Sequence, residues 1–372
     1  MSKTVLLGEI ADIITGPFGS QLHMEDYVDE GIPVIMPQNI GDRRVNEDGI
    51  AKITEKDFKR LQRYSTKKND IVYARRGDVE KHAFIETDEP AICGTGCLRV
   101  RVINKDVYPL FLSIYLNRPE TKKWLTTHAV GSNMPNLNTD ILSSVPVEVP
   151  IYAEQIKRAN IVWDIDKKVQ LNKRINDNLA GMLSCEFAYN FLQNSCDTWE
   201  KVKLSTIASL YQPKTISSND FLANGKYLVY GANGIIGKYN TFNHELPQIA
   251  VACRGASCGA LTMTLPKSWI TGNAMVVAPN ETFPYKEFLF YMLSAKSISY
   301  LTSGSAQPQL TRENMGLYTV LVPPIDQIKS FEHKAQNARA VMIANELENL
   351  QLISLRDWLL PMLMNGQATV SD

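Results

Sequence analysis

The spacing of apolar residues along this chain changes character at two Val-Pro steps. Up to Val149-Pro150, and again from about residue 196 to Val322-Pro323, short apolar runs such as Ile71-Val72-Tyr73-Ala74 and Ile249-Ala250-Val251-Ala252 alternate with clusters of Gly, Pro, Ser and Asn. That pattern predicts short strands joined by turns. After each Val-Pro step the pattern turns helical, with no interior proline from Tyr152 to about Asn194 or from Ile325 to Leu360. Leu171, Ile175, Leu179 and Met182 recur at intervals of four, four and three; Ile343, Leu347 and Leu350 recur at four and three, and Leu352, Leu355 and Leu359 at three and four. These intervals predict an apolar seam on each helix. A helix of about 40 residues is about 60 Å long, longer than a small domain is wide, so each helix is expected to pack on the other. Pro361 is expected to end or kink the second helix, with Gly366 as its terminator.

The chain also repeats itself, and a repeat is best recognised before motifs are read. Val5-Leu6-Leu7-Gly8-Glu9-Ile10-Ala11 matches Val202-Lys203-Leu204-Ser205-Thr206-Ile207-Ala208. The segment from Asp70 through Arg76-Gly77 matches that from Gln248 through Arg254-Gly255, and Ala91-Ile92-Cys93-Gly94 matches Trp269-Ile270-Thr271-Gly272 in the same register. Further on, Gly131-Ser132-Asn133-Met134-Pro135-Asn136-Leu137 and Gly304-Ser305-Ala306-Gln307-Pro308-Gln309-Leu310 share the pattern G-S-x-x-P-x-L. Two similar β-rich domains, each followed by a long helix, form a pseudo-twofold object suited to a two-part target such as bipartite DNA. A tandem duplication without functional meaning is the plainer alternative.

A length of 372 residues accommodates two medium domains, and 44% hydrophobic with 21% charged residues is an ordinary globular composition. Val5-Leu6-Leu7 is cut short by Gly8-Glu9, too early for a signal-peptide core, and no apolar run approaches the roughly 18 residues of a membrane helix. A cytoplasmic protein without membrane contact is the expectation. Six cysteines, at 93, 97, 185, 196, 253 and 258, do not make a disulfide scaffold, and the two close pairs have different spacings and no nearby histidine. Reduced thiols and no metal site are expected. Lys+Arg and Asp+Glu both total 39, but residues 201–323 carry 10 basic against 5 acidic groups, and residues 52–81 carry ten against five. Distribution therefore leaves room for an anionic partner that the net charge of zero conceals.

Catalytic motifs are missing. An adenine methyltransferase needs Asn/Asp-Pro-Pro-aromatic, whereas the one Pro-Pro here sits in Val322-Pro323-Pro324-Ile325. The nearest approach to a phosphate-binding loop, Gly231 to Lys238-Tyr239, is one residue too long and ends in Tyr, so it reads as a turn cluster between strands. Cys93-Gly94-Thr95-Gly96-Cys97 lacks the third glycine of a dinucleotide fingerprint and reads as a tight turn.

The stretch from Glu154-Gln155 through Leu171-Asn172-Lys173-Arg174-Ile175-Asn176-Asp177-Asn178-Leu179 resembles the central conserved helix of the specificity subunits of type I restriction-modification enzymes. Leu355-Arg356-Asp357-Trp358-Leu359-Leu360-Pro361 through Gly366-Gln367 resembles their C-terminal conserved segment, and the resemblance covers the full length. Ile156 interrupts the usual helix opening, and Gly181 stands where Ala would be usual. The resemblance implies a chain with no active site and no cofactor of its own. Each domain would read one half of a split site on double-stranded DNA, and the helices would set the spacer and dock two methyltransferase subunits. Two translocase/nuclease subunits would join that core, and the partners would hold S-adenosylmethionine, ATP and Mg. Two rival readings are an assembly scaffold that does not read DNA and a DNA-modifying enzyme with an unrecognised site.

The expected architecture is α+β: recognition domains at 1–150 and 196–323, joined by antiparallel coiled-coil helices at 151–195 and 324–366, with a tail at 367–372. DNA contact calls for Arg or Lys at phosphates and Arg, Lys, Asn, Gln, Ser or Thr at base edges, best carried on loops. The first domain offers Ser20, Gln21, Gln38, Asn39, Arg43, Arg44, Arg75, Arg76, Lys81, Asn133 and Asn136; the second offers Lys214, Tyr230, Asn233, Lys238, Arg254, Gln307 and Gln309. Arg76 and Arg254 recur at equivalent positions, which suits either DNA contact or a shared framework ion pair.

Overall fold

The computed structural model describes residues 3–131, 135–196, 198–255, 257–304 and 308–368. The chain divides into two compact units, residues 1–169 with 350–372, and residues 170–349. Both are α+β bodies built on one plan, and no helix among the described residues is long and apolar enough to cross a membrane.

In the first unit, Lys3–Leu6 and Pro146–Val149 form an antiparallel ribbon. The main sheet has four antiparallel strands in the order Ala11–Thr15, Cys97–Val102, Ile71–Ala74, His82–Phe84. All four residues of Ile71–Ala74 are buried, which explains a run that is apolar throughout rather than alternating. A second sheet joins Tyr27–Val28, Lys52–Ile53, Ile32–Ile35 and, in parallel, Ile92–Cys93. In the second unit the ribbon returns as Glu200–Lys203 with Thr319–Val322. The main sheet returns in the same order as Ala208–Tyr211, Ala274–Pro279, Ile249–Ala252, Leu261–Met263. The duplication read from the sequence is thus a duplication of topology.

Two long helices, Tyr152–Phe187 and Ile325–Met364, contribute to these units on either side of the division. In each unit a long-helix side chain satisfies the N-terminus of a domain helix. Gln155 accepts the Tyr108 N–H at 2.8 Å and donates to the Asp106 and Pro150 carbonyls, both at 2.8 Å, at the start of helix Pro109–Leu116. Glu332 accepts the N–H groups of Glu287 at 3.2 Å and Phe288 at 2.8 Å, at the start of helix Lys286–Ser294. A carboxylate suits that place because the first helical N–H groups lack partners and carry the positive end of the helix dipole.

The seam lies elsewhere than the apolar spacing put it. Leu171 and Met182 are 53% and 55% exposed, Leu347, Leu350 and Leu355 are also exposed, and Ile175, Leu179, Ile343 and Leu359 are half-buried. The buried stripe instead runs through Ala159, Val162, Asp166 and Val169 in the first unit and Asn172, Asn176, Leu183 and Phe187 in the second. Within the second unit its contacts are amides: Asn172 donates to Asn349 at 3.0 Å and Glu348 at 2.7 Å, while Asn345 donates to Asn176 at 2.8 Å. One residue number rises as its partner's falls, so these segments run antiparallel. Buried polar residues account for the error: counting only apolar positions selects a neighbouring stripe that faces solvent.

Pro361 neither ends nor marks the end of its helix, which continues to Met364. Burial of Leu360, Leu363 and Met364 in the first core holds this last turn. Gly366 is the terminator, at φ 71°, with Gln367 N–H donating to Met362 O at 2.9 Å and Gly366 N–H to Leu363 O at 3.3 Å, a Schellman cap.

Two stability measurements follow from these contacts. Asn349→Leu should cost about 1–3 kcal/mol in chemical denaturation, because it leaves a buried amide short of a partner, and Asn172→Leu/Asn349→Leu should recover much of that loss. Purely additive losses would show that the pair is uncoupled. His82 is fully buried against Ser113 Oγ at 3.0 Å; burial, then the charges of Arg43 and Lys122, push its pKa down to about 3. The folded state keeps it neutral while the unfolded chain takes up a proton below about pH 6.5, so stability falls as pH drops from 6.5 towards 3. His82→Gln should flatten that slope by up to about 1.4 kcal/mol per pH unit.

Candidate nucleic-acid interface

The candidate surface forms where loops leave one end of the main sheet. In the first unit its pivot is the Cys93–Cys97 turn, closed by Cys97 N–H to Gly94 O at 3.2 Å and tied to the second sheet by Gly94 N–H to Ile35 O at 2.9 Å. Gly16, at the end of the first main-sheet strand, crosses this turn so closely that a Cβ would lie 2.0 Å from Gly94 O, so only glycine fits. Arg75 donates its N–H to Gly96 O at 2.7 Å, and Leu137 N–H donates to Arg75 O at 2.9 Å. Arg76 and Asn136 face each other in an antiparallel bridge.

The second unit repeats the arrangement. Cys253 N–H donates to Asn273 O at 3.1 Å, Leu310 N–H donates to Cys253 O at 3.0 Å, and Arg254 bridges Gln309. The G-S-x-x-P-x-L pattern now has a physical meaning. The residue before it pairs with its sixth, Val130 with Asn136 and Ser303 with Gln309; its leucine is wholly buried; and that sixth residue lies beside the arginine. Arg76 and Arg254 are both exposed, and neither makes an ion pair among the described residues. Their recurrence is therefore carried by the backbone rather than by a shared salt bridge.

Ser20, Gln21, Gln38, Lys81, Lys214, Asn233, Lys238 and Gln309 are exposed, and Arg75 and Asn136 are half-buried. Several of these are already tethered. Lys81 pairs with Asp78 at 2.6 Å, and Arg75 Nε donates to Leu137 O at 3.3 Å. Asn233, at the tip of the hairpin Tyr227–Gly231 and Gly234–Tyr239, accepts from Ser257 Oγ at 2.5 Å, which joins that tip to the loop after Arg254. Asn133 and Gln307 lie outside the described residues.

Four candidates belong to the framework instead. Arg43 is 2% exposed, at φ 58°, and pairs with Asp166 of the first long helix, whose other oxygen accepts from Arg356 at 3.0 Å. Arg44 pairs with Glu86 and lies 4.8 Å over the Trp163 ring. Asn39 is buried, accepting from Met36 N–H at 3.1 Å and donating to Asn46 O at 3.2 Å. Tyr230 is 4% exposed, and its hydroxyl accepts from Leu265 N–H at 3.2 Å. In each case the sequence displays a polar residue in a turn-rich stretch but not the element packed over it. The bridging of Arg43 and Arg356 by Asp166 has no local signal, since the three come from segments far apart in the chain.

The sequence model of the type I restriction modification DNA specificity domain matches residues 2–180 and 196–339. The type I restriction enzyme MjaVIII specificity subunit of Methanocaldococcus jannaschii is 20% identical over 375 residues, which cover 87% of this chain and 84% of that protein. The MjaIX specificity subunit of the same organism is 21% identical over 407 residues, covering 98% and 92%. Among solved structures, the type I restriction-modification S subunit from M. genitalium matches at a TM-score of 0.64 and 17% identity, over 98% of this chain and 96% of that one, a likeness of fold. With two matching segments that together span most of its length and one topology in both units, the chain belongs to the family of type I restriction-modification DNA specificity domains and carries two of them.

Proposed function

We propose that this chain is a non-catalytic reader of bipartite DNA, each recognition domain contacting one half-site through the loop cluster at the end of its main sheet. The observation that carries the reading is the recurrence of one backbone cluster in both units, each holding out at the same place an arginine without an ion-pair partner among the described residues. An arginine free of carboxylates can give its donors to guanine O6 and N7 or to phosphate oxygens. The loops around the two arginines differ in sequence, as readers of unlike half-sites require.

On this reading the length of the two long helices sets the number of unread base pairs between half-sites, since B-DNA advances about 34 Å per turn. Two methyltransferase subunits would dock on the conserved helices, whose exposed Leu171, Leu347, Leu355 and Trp358 are apolar surface that a partner could cover. Two translocase/nuclease subunits would complete the restriction enzyme. S-adenosylmethionine, ATP and Mg would be held by those partners, and the modification chemistry would be theirs.

Arg76→Ala and Arg254→Ala should each weaken binding to the cognate duplex about 5- to 150-fold in the assembled complex, the worth of one good base or phosphate contact. Both should leave the thermal midpoint of the chain in place. Arg43→Ala should do the reverse: it strips a buried carboxylate of one partner and lowers stability by roughly 3–5 kcal/mol, while the fraction that folds binds as before. Equal binding by wild type and both exposed-arginine variants would remove the cluster from the DNA surface. Inserting seven residues into each long helix should change the preferred spacer and leave the half-site sequences alone; an unchanged spacer would refute the ruler.

A further inference from the structure

The turn that follows the first main-sheet strand differs in chemistry between the two units although it occupies the same place. In the first unit Gly16 is pinned against Gly94, and beyond it Gln21 N–H donates to Phe18 O at 2.8 Å, which closes a tight turn. That turn is braced from outside. Tyr64 OH donates to Gln21 Oε1 at 2.8 Å and Arg60 Nη1 to Gln21 O at 2.5 Å, and Arg60 is itself held by Asp57 at 2.9 Å and Asp26 at 3.3 Å. What this bracing holds out is the Phe18 ring, 58% exposed.

Single exposed apolar side chains are ordinary on protein surfaces. Two features set this one apart. Its turn is ordered in advance by four side chains, so presenting the ring to a partner costs little further entropy. The turn also begins at Gly16, packed against the same Gly94–Gly96 turn to which the Arg75 N–H, next to Arg76, is hydrogen-bonded, so it borders the candidate interface. In the second unit the equivalent strand leads to exposed Lys214 and Thr215, resting on Gly272, where a Cβ would meet Thr215 Oγ1 at 2.5 Å and Pro213 O at 3.0 Å. Trp269 Nε1 donates to Lys214 O at 3.2 Å and steadies that turn. One domain thus offers an apolar face and the other a cation and a hydroxyl.

The major groove has a complement for each. An apolar side chain finds the 5-methyl group of thymine, and a lysine finds guanine O6 and N7. We infer that Phe18 is a specificity-determining residue that contacts the 5-methyl group of a thymine in the half-site read by the first domain. The inference rests on the DNA-reading role proposed above. No covalent step is involved; the ring supplies shape and apolar surface where a polar side chain would be left unpaired against a methyl group.

The full-length chain would be co-expressed with its methyltransferase partner and the methylated motif mapped for wild type, Phe18→Ala and Lys214→Ala. Phe18→Ala should lose the preference for thymine at one position of one half-site and keep the spacer and the other half-site; Lys214→Ala should relax only that other half. The assembled complex would then be bound to duplexes in which the chosen thymine is replaced by deoxyuridine, which removes the methyl group alone. Wild type should bind the uracil duplex about three- to fourfold more weakly, the worth of one buried methyl, and Phe18→Ala should bind both duplexes equally. An unaltered motif in a Phe18→Ala chain that still directs methylation, or an equal loss on uracil substitution in both proteins, overturns the role of Phe18. A wild-type chain that directs no split motif overturns the DNA-reading role itself, so the two failures are told apart.

Discussion

Helices of 36 and 40 residues have more side-chain surface than they can cover by themselves, and in this protein the buried faces carry directional polar groups among the apolar ones. In the first unit, Asp166 takes Arg43 from a domain loop and Arg356 from the second long helix, while Gln155 caps a domain helix. In the second unit, Glu332 caps the corresponding domain helix and asparagines face each other across the helix contact. Each is a buried group that is costly if left alone and directional when paired. Apolar packing would tolerate rotation or sliding of one helix on another, whereas these contacts accept one arrangement. The orientation of each globular part on its helices is thereby fixed, and with it the direction in which the loop cluster faces.

That cluster is made almost entirely of backbone. The described residues on either side of the G-S-x-x-P-x-L pattern, the strand end before it and the glycine-bearing turn beside it hold one another through N–H to C=O bonds that do not depend on side-chain identity. Such a frame leaves its outward side chains free to vary without loss of shape. Under the proposed function this is the property needed, since different residues would then meet different base edges. The two copies within this chain show the principle: Phe18 stands out from one frame, Lys214 and Thr215 from the other.

Much of this was legible in the sequence, and the failures share a cause. The strands, the duplication, the α+β class and the long helices follow from apolar periodicity and matching segments, because local spacing records which face of an element is buried. Apolar spacing places the seam on Leu171 and Met182 because Asn172, Asn176 and Asn349 are buried yet polar. By sequence alone Arg43, Asn39 and Tyr230 read as surface groups for the complementary reason: nothing local shows that another element packs over them. Pro361 does not end its helix because tertiary burial of Leu360, Leu363 and Met364 outweighs the loss of one helical hydrogen bond. Long-range pairing is what the sequence does not spell out.

If two copies of one loop cluster read two halves of a DNA site for partner subunits, the pattern of methylation depends on this chain. The most direct test maps adenine methylation in cells that express the partner methyltransferase with this chain and in cells that express the methyltransferase alone. Methylated adenines in a split motif, two short fixed sequences separated by a constant run of unread bases, are expected only when the chain is present. Methylation that is independent of the chain, or that follows one uninterrupted motif, would contradict this expectation.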